Sequence, residues 1–136
     1  PRVDAHHASF KESIAFGSVA AARAHGAVAM VVLSESGETA RLVSKFRPGL
    51  PIVAMCKSEK VARQLQIYRG VVPVVKSIAH DISPSEQKIE CSEVLRELGL
   101  LPPTAKSDDS QPQSVVLLGS DTNADRDVFG QIFDAH

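Results

Sequence analysis

Residues 27–56, AVAMVVLSESGETARLVSKFRPGLPIVAMC, decide how the rest of the chain is read. Ala27 to Leu33 is an unbroken apolar run, and Leu50 to Cys56 is a second one. Runs of that length, continuous rather than alternating, are what strands covered on both faces require. Between them Ser34 to Thr39 turns the chain, Ala40 to Phe46 has a short helical pattern, and Arg47-Pro48-Gly49 stops it. Proline disfavours helix at the residue before it, so the helix ends at the aromatic Phe46. Strand, helix and strand in so short a span form a βαβ unit with parallel strands.

Outward from this unit the alternation continues. From Ser9 to His25 the apolar residues Phe10, Ile14, Val19 and Ala22 recur at helical spacing, the run Ala20–Ala22 suits close packing, and Gly26 is a stop. On the other side Ser58 caps a helix through Tyr68 with Val61, Leu65 and Tyr68 inward, and Gly70 ends it. Val71 to Val75 reads as a strand, and Pro73 within it points to a sheet edge or an irregular pairing. Lys76 to Pro84 is a polar connector. Ser85 to Gly99 is an amphipathic helix with Ile89, Val94, Leu95 and Leu98 inward, and Pro102 to Gln113 is an exposed loop. Ser114 to Leu118 is a further strand, Gly119 to Asp127 a polar loop, and Val128 to Phe133 a last strand, antiparallel. The expectation is an α/β fold, a three-layer α/β/α sandwich on a mostly parallel sheet of about five strands with a terminal antiparallel strand. Residues 1–136 read as a single domain without internal repeats.

Composition narrows the function classes. A chain of 136 residues fits one domain and buries roughly two-thirds of its unfolded surface. Hydrophobic residues at 43% and charged ones at 23% are ordinary for a globular protein. The formal net charge of -1 gives no general drive toward nucleic acid or an anionic membrane, so any phosphate binding must be local. Cys56 and Cys91 lie in apolar or helical patterns and read as buried or semi-buried thiols. No stretch reaches the ~20 apolar residues of a membrane span, and residues 1–10 lack a signal-peptide layout. A soluble protein of a reducing, cytoplasmic compartment is expected. The chain opens on Pro1 without a methionine, as expected after processing or for a piece of something longer.

The best candidate for chemistry is the turn Ser34, Glu35, Ser36, Gly37, Glu38, Thr39. It places hydroxyls and a glycine between a strand's carboxyl end and a helix's amino end, where N–H groups and the helix dipole favour an anion. Gly37 permits close backbone approach, and Ser34, Ser36 and Thr39 can donate to phosphate oxygens. Ligands in open α/β sheets sit beyond the carboxyl ends of the strands. The same residue types also serve as plain caps and turns, and Glu35 and Glu38 oppose an anion. Elsewhere, His6-His7 reads as a solvated terminus, and Lys57, Lys60 and Arg63 as a solvated face. Asp121, Asp125 and Asp127 lack the glycine and closing Glu of a calcium loop. There is no P-loop, no G-x-G-x-x-G and no C-x-x-C, and no catalytic or metal-binding constellation is legible.

The ordered motifs Ser34 to Ala40, Phe46-Arg47-Pro48, Pro51-Ile52-Val53-Ala54, Ala62-Arg63-Gln64 and Gly70 to Val74 resemble the carboxy-terminal domain of pyruvate kinases. The similarity is strong over about half the chain, Phe10–Gly26 included, and weaker after Lys76. The resemblance implies a regulatory and subunit-assembly domain whose catalytic barrel, with its Mg and K ions and phosphoenolpyruvate ligands, lies outside this chain. The parent enzyme would transfer phosphate between phosphoenolpyruvate and ADP to give pyruvate and ATP. Expected partners are the barrel, further copies of the chain in a homo-oligomer, and a phosphorylated effector. The effector would be gripped by the hydroxyl-rich turn and a later loop carrying Asp121, Thr122, Asn123 and Arg126. Glu35 stands where some sugar-bisphosphate-responsive members are basic, and the later loop is acidic, so a sugar bisphosphate is disfavoured. The alternative is a free-standing anion-binding module of the same fold with a non-glycolytic partner.

Overall fold

The structure, a computed structural model, describes residues 10–33, 37–76, 84–101, 113–119 and 129–135. Its elements are α1 (Phe10–His25), β1 (Ala29–Leu33), α2 (Glu38–Lys45), β2 (Ile52–Cys56), α3 (Glu59–Leu65), β3 (Val71–Val75), α4 (Pro84–Glu97), β4 (Gln113–Gly119) and β5 (Phe129–Ala135). The strands form one sheet in the order β3-β2-β1-β4-β5. β1 pairs in parallel with β2 and β4, β2 pairs in parallel with β3, and β5 runs antiparallel to β4.

Residue period and crossover handedness together give the layers. Along β1, Met30 and Val32 face a core with Ile52, Ala54, Val116 and Leu118, and helices α1, α2 and α3 close over it. Ala29 and Val31 face the other way, with Val53, Met55, Val115 and Leu117, and pack against Cys91, Val94 and Leu95 of α4. Both sides of each inner strand are thus buried, which is why their sequences do not alternate. The path from β1 through β3 steps outward in one direction, so right-handed crossovers put α2 and α3 on one face. From β3 the chain returns across the sheet to β4, and the same handedness moves α4 to the opposite face. α1 and α2 are fastened by a 2.5 Å ion pair from Lys45 Nζ to Glu12 Oε1 and by an edge-to-face contact of Phe16 and Phe46.

The layered α/β architecture and the parallel strands agree with the sequence reading, and β3, with Pro73, is an edge strand. Cys56 and Cys91 are buried and free. Two inward assignments on α4 are wrong: Ile89 is 57% exposed and Leu98 is 40% exposed. The buried stripe is Cys91, Val94 and Leu95. Ile89 stands two residues from Cys91, about 200° around a 3.6-residue turn, and Leu98 follows the last helical residue. α3 ends at Leu65 rather than Tyr68, although Tyr68 still packs on the core. α2 starts at Glu38, Pro84 belongs to α4, and Gln113 already belongs to β4. β5 runs from Phe129 to Ala135 and so extends past Phe133.

Candidate functional site

Strand order locates the crevice. Connections leave β1 toward β2 on one side, while β4 lies on the other, so the direction of winding changes between β1 and β4. Side chains and loops at the carboxyl ends of two such strands diverge to opposite faces and leave a crevice that ligands use. Leu33, the last residue of β1, is in register with Gly119, the last residue of β4. The hydroxyl-rich turn follows Leu33 and the later polar loop follows Gly119, so both candidate segments emerge from adjacent, paired strand ends. Ser34, Glu35 and Ser36 lie outside the described residues, as do Asp121, Thr122, Asn123 and Arg126. His6, His7, Asp125 and Asp127 do too.

The described half of the turn shows why a glycine is needed. Gly37 is the N-cap of α2, has φ 84°, and contributes no side-chain cap. Its carbonyl accepts the first intrahelical bond, from Arg41 N–H at 3.0 Å. Gly37 is buried against α3, where an added Cβ would meet Leu65 Cδ2 at 3.1 Å and Val61 Cγ1 at 3.3 Å. The start of α2 is therefore pressed onto α3 by a residue that only glycine fits. Thr39 is buried in the first turn at 2% exposure, whereas Glu38 faces solvent. A carboxylate is thus the solvent-facing side chain in the described part of the turn, and it works against a highly charged anion.

Neighbouring strand ends add cations that the sequence reading assigned elsewhere. Lys57 follows β2, and Lys76 follows β3 and donates its backbone N–H to Cys56 O at 3.0 Å. Lys57 read as part of a solvated face and Lys76 as the start of a connector. Only the strand register brings them to the pole that holds the turn. Lys60 and Arg63 are exposed on α3. Ser58 Oγ accepts from Val61 N–H at 3.2 Å and so serves as the α3 cap.

The thiols are passive. Burial pushes the Cys91 thiol up to about 12, Glu90 adds to the rise and Lys76 opposes it. Burial also raises Cys56. Both are protonated at neutral pH and unsuited to nucleophilic or metal-ligating work. Among the described residues, no group of three or more His, Cys, Asp or Glu is placed to hold a metal ion. No described helix is long and apolar enough to cross a membrane.

Comparison with known proteins places this geometry. Residues 12–109 match the family described as pyruvate kinase, alpha/beta domain. A pyruvate kinase from Agaricus bisporus is 48% identical over 71 residues, covering 52% of this chain and 13% of that protein. A probable pyruvate kinase, cytosolic isozyme, from Arabidopsis thaliana is 37% identical over 112 residues, covering 73% of this chain and 22% of its own length. The chain thus spans less than a quarter of these curated relatives. A crystal structure of Cryptosporidium parvum pyruvate kinase superposes with a TM-score of 0.76 at 24% identity, covering 96% of this chain and 23% of that one. The same organism's pyruvate kinase in complex with ADP gives a TM-score of 0.73 at 27% identity, covering 95% of this chain and 24% of that one.

Proposed function

Since the chain belongs to the pyruvate kinase alpha/beta domain family, we propose that it is the carboxy-terminal regulatory and subunit-assembly domain of a cytoplasmic pyruvate kinase. The phosphoryl transfer between phosphoenolpyruvate and ADP belongs to a catalytic region outside these residues. This chain contributes a site that senses a phosphorylated ligand and surfaces that hold subunits together. The pairing of Leu33 with Gly119 supports the reading, because the strand ends from which the two candidate loops continue in sequence lie side by side. A ligand bridging the two loops would favour whichever arrangement of the parent brings them together, and differential affinity of that kind is what couples a remote site to catalysis. Assembly is supported by β5, which among the described strands is an edge of the sheet and offers one side for pairing.

The ligand carries modest charge. Glu38 is exposed at the helix start, and Glu35 sits in the same turn of the sequence. Each partly exposed carboxylate near a phosphate dianion costs on the order of 1 kcal/mol. A single phosphate group therefore suits the turn better than a sugar bisphosphate. The cytoplasmic setting is supported by the Arabidopsis relative, whose name specifies a cytosolic isozyme. Titration of the chain with inorganic phosphate and sugar monophosphates, followed by calorimetry, tests the reading. Saturable binding weakened by Thr39→Ala is expected, and absence of binding at millimolar ligand would remove the site.

A further inference from the structure

A second polar region lies at the opposite pole of the sheet, where β2 and β3 begin. The last turns of α2, the 46–51 turn and the 67–70 turn enclose a cleft of about 980 Å³. Arg41, Lys45, Arg47 and Arg69 line it, and no Asp or Glu does. Lys45 is paired with Glu12. Among the described residues no carboxylate pairs with Arg41, Arg47 or Arg69. Ser44 Oγ donates to Arg69 O at 3.0 Å and ties one wall to the other.

Basic side chains near a helix carboxyl end complement its dipole, and that accounts for Lys45 in the last turn of α2 but not for Arg41 near the helix middle. It does not account for Arg69, which lies on another turn, nor for Arg47. Arg47 has φ 47° and is the one described non-glycine residue with a left-handed backbone. Glycine is the usual occupant just past a helix end and would adopt this conformation with less strain. Here the strained backbone is held on both sides: the Arg47 N–H donates to Ser44 O at 3.0 Å, and its carbonyl accepts from the Arg23 guanidinium. Strain persists where surrounding structure imposes it, and such positions gather at binding sites. What arginine adds over glycine is a guanidinium at the cleft.

The apolar side of the cleft points to the rest of the ligand. Leu50 and Tyr68 line it, half-buried, beside Ile67, which is 80% exposed and the most exposed of the large hydrophobic residues described. We propose that this cleft binds a small organic monophosphate, its phosphate held by Arg47, Arg69 and Arg41 and its apolar body lying on Leu50, Ile67 and Tyr68. Planar guanidinium groups offer paired N–H donors that match phosphate oxygens. The site is separate from the crevice at Leu33 and Gly119, and its occupation does not depend on the function proposed for that crevice.

Amide NMR titration of the 136-residue chain with phenyl phosphate and with inorganic phosphate tests this. Phenyl phosphate should shift the amides of Arg47, Gly49, Arg69 and Gly70 saturably, and should bind several-fold more tightly than inorganic phosphate at these amides. Arg69→Gln should weaken that binding about tenfold. Arg47→Gly should weaken it similarly while the chain stays at least as stable, because it relieves the left-handed strain. Thr39→Ala should leave these shifts unchanged, so failure of the crevice site and of this one are told apart. Absence of saturable shifts at millimolar phenyl phosphate, or equal binding by the wild type, Arg47→Gly and Arg69→Gln, overturns the proposal. Equal affinity for the two phosphates overturns the part assigned to Leu50, Ile67 and Tyr68.

Discussion

Replacing Gly37 by alanine separates the two reasons for glycine at the start of α2. The first is conformational: φ is 84° at Gly37, and a left-handed backbone costs an L-residue roughly 1–2 kcal/mol. The second is steric, since the new Cβ would stand 3.1 Å from Leu65 Cδ2 and 3.3 Å from Val61 Cγ1. Leu65 is 2% exposed, so it has little room to yield, and overpacking of this kind costs about 1 kcal/mol or more. Reduced freedom of the unfolded chain returns about 0.4–1 kcal/mol. The net expectation for Gly37→Ala is a loss of roughly 1–3 kcal/mol, about 1 kcal/mol or more beyond the backbone cost alone. Gly49 provides the internal control, because its φ is 77° but nothing lies within 4 Å of an added Cβ. Gly49→Ala should therefore cost only about 1 kcal/mol. Urea unfolding of both variants, read by circular dichroism with a common slope, gives the comparison. Equal losses would refute the packing of the turn onto α3. No loss in either would refute the backbone argument as well.

Further expectations can be checked with the same chain. Ser58→Ala removes the α3 cap and should lower stability by about 1 kcal/mol in urea unfolding, with Ser58→Thr close to the wild type. Leu95→Ala opens a cavity between α4 and the sheet and should cost about 2–5 kcal/mol, whereas Ile89→Ala, on the exposed face, should change the urea midpoint little. The Cys91 thiol, raised from its ordinary 9.0 to about 12, binds its proton more tightly when folded. The stability linked to it is complete below pH 9 and falls as the pH rises from there toward 12, by about 1.4 kcal/mol per pH unit. The stability difference between the wild type and Cys91→Ala should accordingly shrink above pH 9, and a constant difference would contradict the burial. Glu35→Lys should raise the affinity of the crevice for phosphate monoesters in calorimetry, and an unchanged or lower affinity would contradict the electrostatic argument.

The parts of the fold legible in the sequence are those where one physical requirement dominates. Burial on both faces makes β1 and β2 continuous apolar runs, and Pro73 marks β3 as an edge because it cannot donate to a ladder. α4 misled because both kinds of signal compete there. The large aliphatic Ile89 outweighed the small Cys91 in the reading, yet helical geometry admits only one of them to the stripe that holds Val94 and Leu95. Hydroxyls and Gly37 single out the turn as a candidate in the sequence, but that its strand end lies beside the end of β4 depends on the register of β1 with β4, some eighty residues apart, which local pattern does not encode. The same holds for the basic cleft at the other pole: Arg47 and Arg69 lie on separate turns, and only the parallel pairing of β2 with β3 sets those turns side by side.

The most direct test of the assembly and regulatory role is a chimera in which this chain replaces the corresponding domain of the Agaricus bisporus pyruvate kinase. Sedimentation velocity is the measurement, with turnover of phosphoenolpyruvate and ADP recorded on the same sample. An assembly of several subunits that turns over substrate, and whose turnover responds to phosphate monoesters until Thr39 is changed to Ala, is the predicted result. A chimera that folds but sediments as a monomer, or one whose turnover is indifferent to phosphate monoesters, would contradict it.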